Sequence, residues 1–195
     1  MIASARPRGT ARREALLDAV LRVVADVGAD AVTHRRVADE AGLPLASTTY
    51  WFESKEDMLT AALERAADRD IERLEEFLGE RPTDVADPLG LAVAAVLDPI
   101  EDLGQASRGR LLATYTLMLE AARRPELREV TTRWTEAYFD ALAPLLAAAG
   151  SHDPASDAEL LVAAADGLLV EQLASDDTSD LGPRLRRLAD ALVRA

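Results

Sequence analysis

The side chains with the most suggestive chemistry lie in one short stretch of the chain. It combines small and hydroxyl-bearing residues with two aromatic rings, in the order Leu45, Ala46, Ser47, Thr49, Tyr50 and Trp51. Small and hydroxyl side chains can approach base edges and phosphates closely, and aromatic rings pack on sugars or on thymine methyl groups. The composition is typical of a nucleic-acid contact surface, although Tyr50 and Trp51 would equally suit a hydrophobic core.

Residues for catalysis or metal binding are sparse. The chain has no cysteine, and its two histidines, His34 and His152, lie far apart in sequence. It contains no Ser/His/Asp set, no H-E-x-x-H motif, no glycine-rich phosphate loop and no carboxylate pair near a histidine. We therefore expect no enzyme activity, no cofactor and no metal site.

Acidic residues dominate the chain as a whole but not its first part. The 195 residues include 22 basic and 35 acidic side chains, for a net charge of −13. Residues 1–55 hold eight basic and seven acidic groups, whereas residues 56–195 hold 14 and 28. The first thirteen residues contain four arginines and no acid, which is typical of a basic arm that touches phosphates, and equally of a solvated terminus. DNA binding is thus expected only through the N-terminal part.

The hydrophobic content of 49% is sufficient for a folded core. No run of about 18 uncharged apolar residues is present, and the first residues lack the apolar stretch of a signal peptide. We therefore expect a cytoplasmic protein with no membrane partner.

Alanine and leucine dominate and sustained period-two alternation is absent, so the sequence predicts an all-α fold of about nine helices. A three-helix domain is expected over residues 1–53 and a helical bundle over 54–195. The predicted helices cover 10–27, 33–41, a short segment from Pro44, a long segment from Ser54 to Gly79, 88–98, 106–123, 125–149, 157–174 and 182–194. Pro144 is expected to kink or split the helix that contains it.

The second and third helices have the spacing of a helix-turn-helix, carried by Val37, Ala38, Ala41, Gly42, Leu43 and Thr48. Ala38 must be small because the two helices nearly touch there, and Gly42 supplies the positive φ of the turn. Thr48 stands where an aliphatic side chain is usual, and its methyl group can fill that place.

The segment Thr33–Lys55, followed by Glu56-Asp57-Met58-Leu59, resembles the N-terminal DNA-binding domain of the TetR/AcrR family of one-component bacterial regulators. The hallmarks are the small-Gly turn, an aromatic-rich end of the recognition helix that closes on Phe52, and the Ser-Lys-Glu start of the next helix. The resemblance is strong over residues 10–65 and extends to the whole chain by length and helical layout.

The resemblance implies a set of DNA-contacting residues in the second helix, the recognition helix and the start of the fourth helix. They are Thr33, His34, Arg35, Arg36, Leu45, Ala46, Ser47, Thr49, Tyr50, Trp51 and Lys55, of which Lys55 is implied to bind phosphate. Arg35 and Arg36 also fit a solvated surface. Thr49 stands where the family most often has Tyr, and Pro44 and Leu45 replace a polar pair, so no operator sequence is implied.

The resemblance also implies a homodimer, which forms through the last two helices of each subunit and binds a palindromic DNA operator through its two helix-turn-helix motifs. The expected interface residues are Leu161, Ala164, Leu168, Leu185, Leu188 and Leu192, although such apolar stripes also occur in ordinary cores. A dimer is favoured because one helix-turn-helix makes few base contacts, and two-fold symmetry places two of them in successive major grooves, about 34–36 Å apart.

A small-molecule effector pocket is expected among the middle helices. Its predicted lining holds most of the chain's large rings and a flexible methionine: Phe77, Tyr115, Met118, Leu119, Trp134 and Tyr138. Aromatic residues at helical spacing also serve as packing.

The leading hypothesis is a dimeric repressor that a small-molecule effector releases from DNA, through movement of the fourth helix. The alternative is a helical protein-interaction module, or an enzyme, without DNA binding.

Overall fold

The computed structural model describes residues 7–80, 86–98, 105–175 and 179–194. The first six residues of the predicted basic arm lie outside this set. Within it the chain is all-α, as predicted, and no strand occurs. The nine described helices are α1 Pro7–Val27, α2 His34–Ala41, α3 Leu45–Trp51, α4 Lys55–Gly79, α5 Pro88–Leu97, α6 Gln105–Glu120, α7 Pro125–Ala148, α8 Pro154–Ala174 and α9 Gly182–Leu192.

Short polar side chains define several helix starts. The Thr33 Oγ1 accepts the N–H of Arg36 at 3.2 Å, which caps α2 as predicted. The Ser54 Oγ accepts the N–H of Asp57 at 3.0 Å at the start of α4. Asp153 caps α8 in the same way, so this helix begins at Pro154, three residues earlier than predicted, because a proline in the first turn loses no intrahelical hydrogen bond.

Pro144 does not split α7, contrary to one of the two expected outcomes. The helix continues through this residue to Ala148. A proline in a helix interior leaves the carbonyl four residues earlier without its N–H partner, which here is the carbonyl of Asp140. Both Pro144 and Asp140 are exposed, so water can satisfy that carbonyl.

The chain forms two compact units that differ from the predicted division at residue 53. Unit 1 consists of residues 1–67 and 104–131, and unit 2 of residues 68–103 and 132–195. Helix α4 contributes to both, because the boundary between the units falls between its residues Ala67 and Asp68. The division into functional domains at 53 and 54 remains a prediction.

Unit 1 is organised around α1, which packs against α2 and α6. Its fully buried side chains include Leu16, Leu17, Met58, Leu59 and Leu117. In unit 2, α9 packs against α5 and α8, and the core is centred on four fully buried leucines, Leu142, Leu146, Leu161 and Leu185. In the described parts of the chain, no helix combines the length and the apolar character needed to cross a membrane.

The backbone at Gly42 provides a test of the turn between α2 and α3. Gly42 has φ +64° and ψ +30°, a left-handed conformation that is costly for any residue with a Cβ. We expect Gly42→Ala to lower the free energy of unfolding by about 1–2 kcal/mol. Gly109, inside α6 with open space around it, is the matched control, and Gly109→Ala should raise the free energy of unfolding by about 0.5–1 kcal/mol. Urea denaturation measures the free energy of unfolding of both variants. Changes of the same sign would contradict a left-handed backbone at Gly42.

Candidate nucleic-acid interface

Helices α2 and α3 form a helix-turn-helix, as the spacing predicts. The left-handed backbone of Gly42 ends α2, and the N–H of Leu43 donates to the carbonyl of Ala38 at 2.9 Å. Val37 and Ala38 are fully buried, with Ala38 on the side where α2 meets its neighbours. A larger side chain at position 38 would separate these helices, which explains the small residue.

Thr48 joins the two helices by a polar contact that the sequence interpretation missed. Its side chain is fully buried, and its Oγ1 lies 2.8 Å from the carbonyl oxygen of Leu45 and 3.3 Å from that of His34. The hydroxyl can donate to either oxygen, so it is satisfied without water. The expected methyl packing is therefore accompanied by a hydrogen bond that links α3 to the first turn of α2.

One face of α3 is exposed. Leu45, Ala46, Thr49 and Tyr50 are all accessible, and Tyr50 is 77% exposed. Trp51 is half-buried, with its ring edge-on to that of Tyr50 at a centroid distance of 5.0 Å and an interplanar angle of 89°. The alternative that Tyr50 is a core residue is therefore wrong. Ser47 is half-buried beside this face.

The first turn of α2 adds basic groups next to α3. Thr33, Arg35 and Arg36 are exposed, and the Arg36 guanidinium donates to the carbonyl of Ala31 at 3.1 Å. These residues line a surface depression of about 740 Å³ together with Asp39 and others. The N-terminus of a helix favours anions, so a phosphate group is compatible with this position. His34 is half-buried, and its Nδ1 has no hydrogen-bond partner among the described residues.

Lys55 opens α4 and is held by Asp30, a contact that the sequence did not predict. The Lys55 Nζ donates to the carbonyl of Asp30 at 3.1 Å and lies 3.3 Å from its Oδ1. The hydrogen bond from Lys55 and then its charge hold the pKa of Asp30 below its usual range, with a smaller contribution from Arg124. Asp30 lies in a short 3-10 turn, Ala29–Ala31, between α1 and α2. The ammonium group is thus oriented, and its charge is shared with a neighbouring carboxylate.

The predicted pocket residues are divided between the two units. Tyr115, Met118 and Leu119 belong to unit 1, where Leu119 is 72% exposed. Phe77, Trp134 and Tyr138 belong to unit 2. Trp134 is buried, whereas Phe77 and Tyr138 are half-buried against the core of unit 2.

The predicted interface residues differ in accessibility. Leu161 and Leu185 are fully buried inside unit 2, so a partner subunit could not contact them in this conformation. Ala164, Leu168, Leu188 and Leu192 are half-buried. The exposed apolar residues of α8 begin at Leu160, one position before the predicted Leu161.

Comparison with known proteins places both parts of the chain in one family. Residues 16–62 match the domain model described as bacterial regulatory proteins, tetR family, and residues 87–195 match the tetracyclin repressor-like, C-terminal domain. The HTH-type transcriptional regulator BetI of Rhizobium meliloti (strain 1021) is 46% identical over 52 residues, which cover 27% of this chain and 26% of that protein. The chain thus matches about a quarter of the length of that curated relative.

Solved structures resemble nearly the whole chain, and two of them illustrate the range. A transcriptional regulator from Rhodococcus sp. Rha1 has a TM-score of 0.82 and 25% identity, covering 93% of this chain and 96% of that one. The multidrug binding protein EbrR, in complex with ethidium, has a TM-score of 0.69 and 34% identity, covering 93% of this chain and 98% of that one. The chain therefore belongs to the TetR family, and it is a DNA-binding transcriptional regulator and not an enzyme.

Proposed function

We propose that this chain is a homodimeric repressor that binds a palindromic operator and leaves it when a hydrophobic organic cation binds. The observation that carries the proposal is the exposed face of α3, where a 77% exposed tyrosine accompanies small and hydroxyl-bearing residues. An exposed face of this kind beside a basic helix start suits a major groove and its phosphates. A chromosomal operator also implies a cytoplasmic location.

The DNA contacts fall into two classes. Thr33, Arg35, Arg36 and Lys55 lie at helix starts, where side chains and backbone N–H groups approach phosphates. The residues of α3 approach base edges, and these are Leu45, Ala46, Ser47, Thr49, Tyr50 and Trp51. His34 is the first residue of α2, and we assign its half-buried side chain to the support of this turn and not to a DNA contact.

A stripe of small and apolar residues on α8 is the proposed centre of the dimer interface. It consists of Leu160, Ala163, Gly167, Val170 and Ala174, all exposed and all at helical spacings of three and four. A Cβ added to Gly167 would meet nothing within 4 Å in the chain itself. Close approach of a second helix is a physical reason for a glycine at this exposed position. The half-buried residues Ala164, Leu168, Leu188 and Leu192 border the stripe or lie on α9.

Charge complementarity supports a pairing of α8 with α9 of the second subunit. Helix α8 carries four acidic residues and no basic one, and its Glu159 and Glu171 flank the stripe and are exposed. Helix α9 and the turn that follows it present a basic stripe of exposed residues, Arg184 and Arg187 on the helix and Arg194 just after it. A two-fold axis brings each acidic helix against the basic helix of the other subunit, which favours association.

The proposed effector site surrounds Tyr138 in unit 2. Burial, followed by the carboxylates of Asp70, Asp98 and Asp166, raises the pKa of Tyr138 far above its usual value, and Arg73 opposes this effect. The phenol therefore keeps its proton and can donate a hydrogen bond. A half-buried ring in a negative potential favours an aromatic cation as ligand. EbrR, which resembles this chain, was solved with ethidium, an aromatic cation.

Trp134 and Phe77 accompany Tyr138 as proposed lining residues. Trp134 lies one helical turn before Tyr138 on α7, and Phe77 packs against the same core cluster. Tyr115, Met118 and Leu119, in unit 1, stay a prediction as lining residues.

The repressor and its effector class are tested in one sequence of measurements. Genomic fragments are selected on the purified dimer, and a labelled fragment is followed by fluorescence anisotropy at several salt concentrations. We expect tight, salt-dependent binding that tetraphenylphosphonium, a cation that does not intercalate, weakens by about tenfold or more. The neutral triphenylphosphine oxide is the control and should have little effect.

The possible failures are distinct. Selection of no specific fragment would contradict the repressor proposal. Tight operator binding that responds to neither compound would contradict the effector class alone.

A further inference from the structure

Arg124, in the connection between α6 and α7, contacts three acidic residues. Its guanidinium lies 3.0 Å from the Glu120 Oε2, 3.3 Å from the Glu56 Oε1 and 3.1 Å from the Asp30 Oδ1. Its side chain is only 18% exposed. The three carboxylates come from α6, from the first turn of α4 and from the turn before α2, so one side chain joins three segments of unit 1.

Asp30 connects Arg124 to Lys55. The same Asp30 Oδ1 that accepts from Arg124 lies 3.3 Å from the Lys55 Nζ. Glu56, the second acidic partner of Arg124, directly follows Lys55 in the chain. The predicted phosphate-binding ammonium therefore contacts one carboxylate, that of Asp30, and Arg124 contacts both this carboxylate and that of Glu56.

The charges decide what this arrangement does. With Arg124 in place, Asp30 and Glu56 are balanced by Lys55 and Arg124. Without it, the two negative charges of Asp30 and Glu56 exceed the single positive charge of Lys55, and the uncompensated charge repels an approaching phosphate. Glu120 differs, because the Arg123 guanidinium contacts it at 2.7 Å and would still balance it.

We propose that Arg124 is a positioning residue for operator binding, which leaves the charge of Lys55 available to a DNA phosphate by neutralising Asp30 and Glu56. This inference rests on the proposed function, namely on a phosphate contact by Lys55. A planar guanidinium suits the role because its several N–H groups point in different directions and reach three acceptors at once, which an ammonium does less well. A residue in the α6–α7 connection thus contributes to the affinity of a helix-turn-helix that it does not belong to.

The test compares Arg124→Gln with Arg123→Gln on the selected operator. The two arginines are adjacent and carry the same charge, but Arg123 is 78% exposed and, among the described residues, its ion pair is with Glu120, so it affects Asp30 only through its charge at a distance. We expect Arg124→Gln to weaken operator binding about three- to tenfold at low salt and Arg123→Gln less than about twofold. The difference should shrink at high salt, because the Asp30 side chain is 93% exposed and its field is screened. Arg124→Lys should retain most of the affinity.

Asp30→Asn separates the electrostatic role from a structural one. If Arg124 acts only by linking segments of unit 1, Asp30→Asn removes one of its ion pairs and weakens DNA binding as Arg124→Gln does. If Arg124 neutralises Asp30, Asp30→Asn strengthens binding or leaves it unchanged, and it restores affinity to the Arg124→Gln variant. This comparison does not depend on whether Arg124→Gln folds, because the sign of the Asp30→Asn effect alone decides between the two.

The outcomes also separate this inference from the proposed function. Loss of affinity in Lys55→Ala together with unchanged affinity in Arg124→Gln would overturn the role of Arg124 and leave the repressor intact. Unchanged affinity in Lys55→Ala would overturn both the phosphate contact and the inference. Weakening by Arg124→Gln that Asp30→Asn reverses supports the proposal.

Discussion

Replacement of both Tyr50 and Lys55 by alanine is expected to abolish specific operator binding, with a loss of about 100-fold or more in affinity. Each change removes one contact from each half-site, and individual base or phosphate contacts contribute about 1–3 kcal/mol. Tyr50 is 77% exposed, so the fold does not depend on its side chain, and the described hydrogen bonds of the Lys55 side chain are to Asp30 alone. Fluorescence anisotropy on the selected operator measures the loss, and circular dichroism and sedimentation check helicity and dimerisation.

The single variants should differ in their salt dependence. Lys55→Ala should reduce the magnitude of the slope of log affinity against log salt concentration by about one to two, because each subunit loses a phosphate contact. Tyr50→Ala should weaken binding without changing that slope. Arg133→Gln is the matched control, since it removes one positive charge from unit 2, where Arg133 pairs with Asp68 at 2.8 Å. Unaltered affinity in the Tyr50 and Lys55 double variant would show that operator binding does not use these two side chains.

Charge reversal on α8 or on α9 is expected to separate the dimer into monomers. The double variant Glu159→Lys/Glu171→Lys makes α8 basic, so both α8–α9 contacts of its homodimer become repulsive. The double variant Arg187→Glu/Arg194→Glu makes the basic stripe acidic and has the same effect. Placing like charges against each other costs several kcal/mol, so each homodimer should dissociate about 100-fold more readily at low salt. All four residues are exposed, which leaves the core of each subunit unchanged. Analytical ultracentrifugation measures the dissociation constants.

Mixing the two variants provides the control. In a heterodimer, the reversed α8 faces the reversed α9, and the two native helices face each other, so both contacts become attractive again. The mixture should therefore form dimers that neither variant forms alone. A single chain that carries all four substitutions should also recover. Failure of both to recover would show that these two stripes do not face each other.

Local signals determined much of the candidate site. The small residue at Ala38 and the glycine at position 42 are steric requirements of a tight helix-turn-helix, so their spacing could be recognised without coordinates. The caps at Thr33 and Ser54 are also local, because a cap bonds to a backbone N–H three residues away. For the same reason the helix boundaries agree with the pattern to within three residues, and the largest differences lie at the starts of α1 and α8, which both begin at a proline, and at the end of α6.

Contacts between distant segments were not predictable in this way. The Thr48 hydroxyl finds an acceptor in His34, 14 residues away, and Lys55 finds one in Asp30, 25 residues away. Packing against neighbouring helices also decides which face of an apolar helix is buried. An alanine- and leucine-rich helix such as α8 is apolar on most sides, so periodicity alone did not distinguish buried Leu161 from exposed Leu160.

The sequence by itself therefore determined the all-α fold, the helix-turn-helix and the residue types on its exposed face, since these depend on interactions within a few residues. Only the tertiary structure decided that Tyr50 is exposed, that Lys55 shares its charge with Asp30, and that Arg124, 69 residues further along the chain, joins the same cluster. The physical reason is that exposure and ion pairing depend on which segments meet in space. In a chain rich in similar helices, many pairings satisfy the same local pattern until one of them buries the core.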